Sequence, residues 1–116
     1  MASEREKMFE AILDSIPYKI VYVDTDFIIR FMNKTAKHHY YGMRGYRDLE
    51  GKSIFACHNE KSVERIKEAV EKLKDHKNQI YLGVSPENER FYINPVRDEN
   101  GELIGFFERF EMNLQK

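Results

Sequence analysis

One cysteine, Cys57, is all that the chain carries in its 116 residues. A lone cysteine excludes an internal disulfide and a structural zinc site of the several-cysteine kind, and it fits a reducing, cytoplasmic setting. Surplus charge of either sign is missing as well, the formal net charge being -1. Binding along a phosphate backbone needs clustered excess Lys and Arg, so no nucleic-acid partner is expected. No apolar run approaches the length that spans a bilayer, and Met1 to Lys7 is charged with no apolar signal core, so no membrane association is expected. Catalytic signatures are absent too. There is no glycine-rich phosphate loop and no serine nucleophile elbow, so the chain is not expected to be an enzyme. An enzymatic reading has only the Cys57-His58 pair to stand on.

What is present describes a globular domain. Hydrophobic residues make up 41% and charged residues 34% of the chain, a balance that builds one core under a busy surface. Its length is that of a single domain, 1–116, divided into an N-terminal helix at 1–16 and a core at 17–113. Ser3 followed by Glu6 forms a capping box, and Met8, Phe9, Ile12 and Leu13 recur at helical spacing until Pro17 stops the helix. Tyr18 to Val23 and Phe27 to Met32 read as strands joined by a polar turn at Asp24-Thr25-Asp26. Asn33 caps a short helix through Ala36 to Tyr41, which Gly42 and Gly45 are expected to break. Asn59 caps a longer helix whose apolar stripe is Val63, Ile66, Val70 and Leu73. Three strands follow, at Ile80 to Val84, Phe91 to Val96 and Leu103 to Met112, the last two joined by Asp98-Glu99-Asn100-Gly101. Five strands with helices between the second and third predict an α+β fold with an antiparallel sheet on one side of the core.

Alternation assigns the faces of the closing hairpin. A four-residue loop at Asp98 to Gly101 pairs Val96 with Leu103 and Ile93 with Phe106. Phe91, Ile93 and Pro95 then share a face with Ile104, Phe106, Glu108 and Phe110, and Glu108 is its one charged member. An inward carboxylate needs a partner or a proton, so Glu108 either serves a ligand or His58, or ends its strand near solvent or a nearby Arg. His38 and His39, adjacent on a helix, face different directions and make no metal site by themselves. Tyr40, Tyr41, Met43 and Tyr46 are candidates for the mouth of a pocket, or for ordinary packing.

Five stretches, in order along nearly the whole chain, together resemble a known family. Ile12-Leu13-Asp14-Ser15-Ile16-Pro17, Ile20-Val21-Tyr22-Val23-Asp24 and Phe31-Met32-Asn33-Lys34 resemble the opening of a PAS domain. Gly51-Lys52-Ser53-Ile54-Phe55 resembles its central connector, and Pro95 to Gly105 its closing hairpin. Phe55-Ala56-Cys57-His58 through Lys61-Ser62 resembles a subset of PAS domains with a Cys-His pair at the start of the long helix. The resemblance implies the PAS fold: a five-stranded antiparallel sheet, inserted helices on one face and an N-terminal capping helix around a small interior. Some members bind haem, flavin or small metabolites there, and others hold no ligand and serve as dimerisation modules.

The resemblance supplies the candidate site. The binding residues it implies are His58, Cys57, Glu108, Phe91, Ile93, Phe106 and Phe110, with His58 as the metal ligand if the group is haem. Against this, His58 caps or packs the helix start, and Cys57 is a small buried residue rather than a redox thiol. The Asn-Cys-Arg-Phe pattern of light-sensing flavin members is missing, since His58 and Asn59 follow Cys57. The expected function is a cytoplasmic sensory domain. It binds a small ligand or cofactor inside and regulates a partner or attached output domain by a two-state shift of the terminal helix and last strand. The alternative is a ligand-free module for homodimerisation or protein–protein contact, and a homodimer is expected in either case.

Overall fold

The computed structural model describes residues 3–57, 59–75 and 78–114. Helix α1 spans Glu4–Asp14, with the Ser3 hydroxyl accepting from the Glu6 N–H at 3.1 Å. Strands β1 (Ile20–Asp24) and β2 (Ile29–Met32) follow, then a short helix α2 (Lys34–Lys37) running into a π-helical turn at His38–Met43. A 3-10 turn at Ile54–Cys57 leads to α3 (Glu60–Leu73), and strands β3 (Ile80–Val84), β4 (Glu89–Arg97) and β5 (Leu103–Met112) close the chain. The five strands form one antiparallel sheet in the order β2-β1-β5-β4-β3. The fold is α+β and of the PAS type.

The core lies between one face of the sheet and the helices. Val21, Val23, Ile29, Met32, Ile93 and Phe106 bury their side chains from the sheet. Ile66, Ala69, Val70 and Leu73 bury theirs from α3, whose start is fixed by Asn59 accepting from the Ser62 N–H at 2.9 Å. Burying a Leu, Ile or Phe side chain is worth about 1.5–3 kcal/mol, so these stripes dominate the stability of the sheet-helix contact. Asn33 is fully buried and ties the N-terminal segment to this core. Its Oδ1 accepts from the Ile20 and Ala36 N–H groups, and its Nδ2 donates to the Leu13 and Tyr18 carbonyls. Helix α1, by contrast, buries no residue, and Met8, Phe9 and Ile12 stand 51%, 46% and 54% exposed.

Four local expectations need correction. Phe27 does not begin β2: Asp24 Oδ1 accepts from the Asp26 and Ile28 N–H groups, and this turn holds Phe27 at φ 62°. Packing of the Phe27 ring on Phe55 and Phe106, at 5.1 and 6.2 Å, holds that costly backbone in place. Gly42 does not break the helix, which widens through it, with the Arg44 N–H donating to the His39 carbonyl; Gly45, at φ 76°, lies beyond its end. The hairpin register is offset by a bulge: Arg97 pairs with Leu103, Val96 with Gly105, Pro95 with Phe106 and Ile93 with Glu108. The bulge turns Ile104 outward, where it is exposed, while the offset keeps Phe91, Ile93, Pro95, Phe106, Glu108 and Phe110 on one face.

Candidate functional site

A cleft of about 530 Å³ opens beside the core. Its floor is the end of the sheet, where Phe91 on β4 and Phe110 on β5 stack with ring centres 4.7 Å apart and planes 4° from parallel. One wall is the π-helical turn and the segment just after it, with Tyr40, Arg44 and Tyr46. The other is the start of α3, with Ser62, Arg65 and Ile66. The edge strand β3 and its turn close the side, and a bulge there presents Leu82, whose carbonyl accepts from the Arg65 guanidinium. The extra residue of a π turn is what lets His39 and Tyr40 both be buried toward this side of the sheet.

A charged cluster sits at the base. Lys19 continues the inward alternation of Val23 and Val21, so its side chain enters the interior although it carries a charge, and the residue is 5% exposed. Its ammonium lies 3.1 Å from Glu89 Oε1, 3.8 Å from Glu87 Oε1 and 4.0 Å from the centre of the Phe110 ring. Glu87 also reaches His39, with Nε2 to Oε1 at 3.2 Å. Burial, and then the Lys19 charge, lower His39 from its usual 6.5, so near neutral pH it is an uncharged imidazole beside a carboxylate. Glu108 faces the same interior from β5 and is 1% exposed. Burial pushes its carboxyl up to about 8, with Lys19 pulling the other way, so it is mostly protonated near neutral pH.

The residues expected from the sequence separate into groups. Phe91 and Phe110 line the cleft. Ile93 and Phe106 do not reach it; they are packed into the core beside it, Ile93 on β4 where α3 contacts that strand and Phe106 against the Phe27 ring. Glu108 pairs across the strands with Ile93 and Val21, next to Lys19 on the inner face. Cys57 ends the 3-10 turn; its side chain and all of His58 lie outside the described residues. The haem reading rests on His58 alone, since the one described histidine at the cleft, His39, has its Nε2 on Glu87. Among the described residues no group of three or more His, Cys, Asp or Glu is arranged to hold a metal ion. No described helix is long and apolar enough to cross a membrane.

Sequence reasoning missed Lys19, Arg65, Glu87 and the role of His39. For Lys19 the signal was there, because the alternation of Val21 and Val23 extends back to it. For Glu87 there was none, because a turn residue shows no periodicity and its partners come from β1 and the π turn.

A second apolar hollow, of about 580 Å³, lies on the outer face of the sheet. Tyr18, Ile20 and Tyr22 of the β1 segment, Phe31 of β2 and Phe107 of β5 line it, with Leu13 and Ile16 from the end of α1 and the link that follows it.

Comparison with solved structures places this architecture. The C-terminal domain of a Streptococcus mutans protein superposes with a TM-score of 0.73 at 21% identity, over 96% of this chain and 85% of that one. A PAS domain from Colwellia psychrerythraea gives 0.70 at 17% identity, over 91% and 94%. A sensory box sensor histidine kinase structure from Vibrio cholerae gives 0.66 at 13% identity, over 94% and 92%. At such identities the likeness establishes the fold. No curated protein matches the sequence. The family model described as PAS domain matches residues 9–111, and with the sheet order and inner cleft seen here the chain belongs to the PAS domain family.

Proposed function

We propose that this PAS domain is a cytoplasmic sensory module. Its inner cleft takes a small molecule, and occupation of the cleft shifts the equilibrium of a partner protein or attached output domain. The observation that carries this reading is the cleft of about 530 Å³, with stacked aromatic rings on its floor and charged groups converging at its base. Small-molecule sites have this size and this mix of apolar wall and few placed polar groups. The likeness to a sensor histidine kinase structure supports the same reading. The module works through binding, with turnover left to whatever it regulates.

The test is native mass spectrometry and absorbance of the purified domain, followed by thermal-shift screening of a metabolite library. A co-purified mass, or a compound that raises the melting midpoint of the native chain but not of Ser62→Trp, which fills the cleft mouth, supports the reading. A Soret band lost in His58→Ala and kept in Cys57→Ala identifies haem as the occupant. No bound mass and no stabilising compound would remove the sensory reading.

A second reading has its own observation. Met8, Phe9 and Ile12 are exposed on α1, and the outer sheet face carries the apolar hollow around Phe31 and Phe107. Covering both in a homodimer removes apolar surface that a monomer leaves in water. Light scattering decides it: Phe9→Glu combined with Ile12→Glu halves the mass if α1 forms the interface, and an unchanged mass refutes it.

A further inference from the structure

Glu87 stands where an external acid would fit. It comes from the turn between β3 and β4, and its side chain is 38% exposed while that of Lys19 is 6% exposed. Its Oε1 lies 3.2 Å from His39 Nε2 and 3.8 Å from Lys19 Nζ. Lys19 has the closer partner in Glu89, at 3.1 Å. If Glu87 swings outward, Lys19 keeps a counter-charge, and the His39 ring nitrogen and the Lys19 ammonium still face one oxygen-sized position, at hydrogen-bond and ion-pair distance. The turn permits that swing, because the backbone bonds that build it run between Ser85, Asn88 and Glu89 and none involves the Glu87 side chain.

The rest of the cleft favours a negative guest. Arg44 lies over the Tyr46 ring at 5.3 Å, and Arg65 donates to the Leu82 carbonyl. Among the described residues no carboxylate pairs with either guanidinium. Among the described residues Lys19, Arg44 and Arg65 thus stand against Glu87 in the lining and Glu89 behind Lys19, which leaves one positive charge in excess. That excess, carried by two guanidiniums with no carboxylate on them, draws an anion in. Beyond the charges the walls are apolar, with Ile66, Leu82, Phe91 and Phe110.

The geometry points to a small apolar carboxylic acid as the ligand class: its carboxylate displaces Glu87 from His39 and Lys19, and its apolar body lies on the Phe91–Phe110 floor. This rests on the cleft being the sensory site. Glu87 is then a built-in competitor, and the β3–β4 turn that carries it is the element that registers occupancy.

The test titrates benzoate, its neutral analogue benzyl alcohol and inorganic phosphate into the isotope-labelled domain near neutral pH, reading Kd from backbone amide shifts. Benzoate binds at the cleft amides and outcompetes benzyl alcohol by about tenfold. Glu87→Gln removes the competing charge, so benzoate affinity rises by about threefold or more while that for benzyl alcohol stays the same. Arg65→Gln, at an exposed position, folds normally and weakens benzoate. Equal affinity for the acid and the alcohol, or unchanged benzoate affinity in Glu87→Gln, overturns the acid assignment and leaves the cleft as a ligand site. Phosphate binding more tightly than benzoate overturns the apolar body. Binding of no probe at the cleft amides takes down both the assignment and the sensory reading.

Discussion

Replacing Glu108 by Gln exchanges a buried carboxyl for a neutral amide of nearly the same shape. The stability of the variant relative to the natural chain should therefore depend on pH. In the folded chain burial raises the carboxyl from 4.5 to about 8, against the pull of Lys19. The folded state then holds the proton more tightly than the unfolded chain does. Stability from that proton is complete below about 4.5, declines as pH rises, and is gone above about 8. One unit corresponds to about 1.36 kcal/mol, which makes the whole swing on the order of 4–5 kcal/mol. Domains of this kind have roughly 5–15 kcal/mol in total, so the swing is a large part of it. The chain has no tryptophan, so urea unfolding is followed by circular dichroism, for both proteins near pH 5, 7 and 9. The other groups around this interior, Lys19, His39, Glu87 and Glu89, are common to both proteins. Their own titrations cancel in the difference as far as they do not couple to Glu108. The variant should gain on the natural chain as pH rises from 5 to about 8 and level off above that. A difference that does not change with pH, or that shrinks as pH rises, refutes the assignment of Glu108 as a buried, mostly neutral acid.

Other perturbations test the frame around the site. Asn33→Ala removes four hydrogen bonds to Ile20, Ala36, Leu13 and Tyr18 and leaves their backbone groups unsatisfied, which should cost about 3 kcal/mol or more in urea unfolding. Gly105→Ala places a methyl group against the Val23 carbonyl and 2.6 Å from the Tyr22 hydroxyl, and because backbone cannot swing aside the loss should be about 1–3 kcal/mol. A Cβ at Gly101 has no atom within 4 Å beyond its chain neighbours, but the position has φ 81°, so Gly101→Val should cost about 1 kcal/mol or more through backbone strain. An unchanged melting midpoint in any of the three removes the corresponding structural argument.

The candidate site was only partly readable in advance, and the residues show why. Phe91 and Phe110 were legible because strand alternation is local, and a register error of two residues leaves every side chain on its face. Ile104 was misplaced because a bulge, which alternation cannot foresee, rotates it outward. Ile93 and Phe106 share the face of Phe91 but not the cleft, since α3 on β4 and the Phe27 ring on Phe106 decide which part of that face is filled. Glu108 was recognised as the odd member of an apolar face, but that the inward Lys19 lies beside it was not legible, because nothing in the hairpin indicates which strand lies beside β5.

By itself the sequence determined the elements and their caps: Ser3, Asn33 and Asn59 each start a helix with a hydrogen bond that spans three residues. It also determined the inner face of the closing hairpin, the bulged Ile104 apart, and the count of five strands, because these depend on bonds and periodicities within a few residues. The tertiary structure alone decided the strand order, in which β1 is laid against β5 and Lys19 is brought over the Phe110 ring. It alone decided that Glu87 meets His39 and Lys19, and that the space between the π turn, α3 and β3 stays open as a cleft. The physical reason is that these contacts join side chains far apart in the chain. Their meeting depends on which sheet edges and helix faces bury the most apolar surface together, a sum over the whole molecule that no local pattern contains.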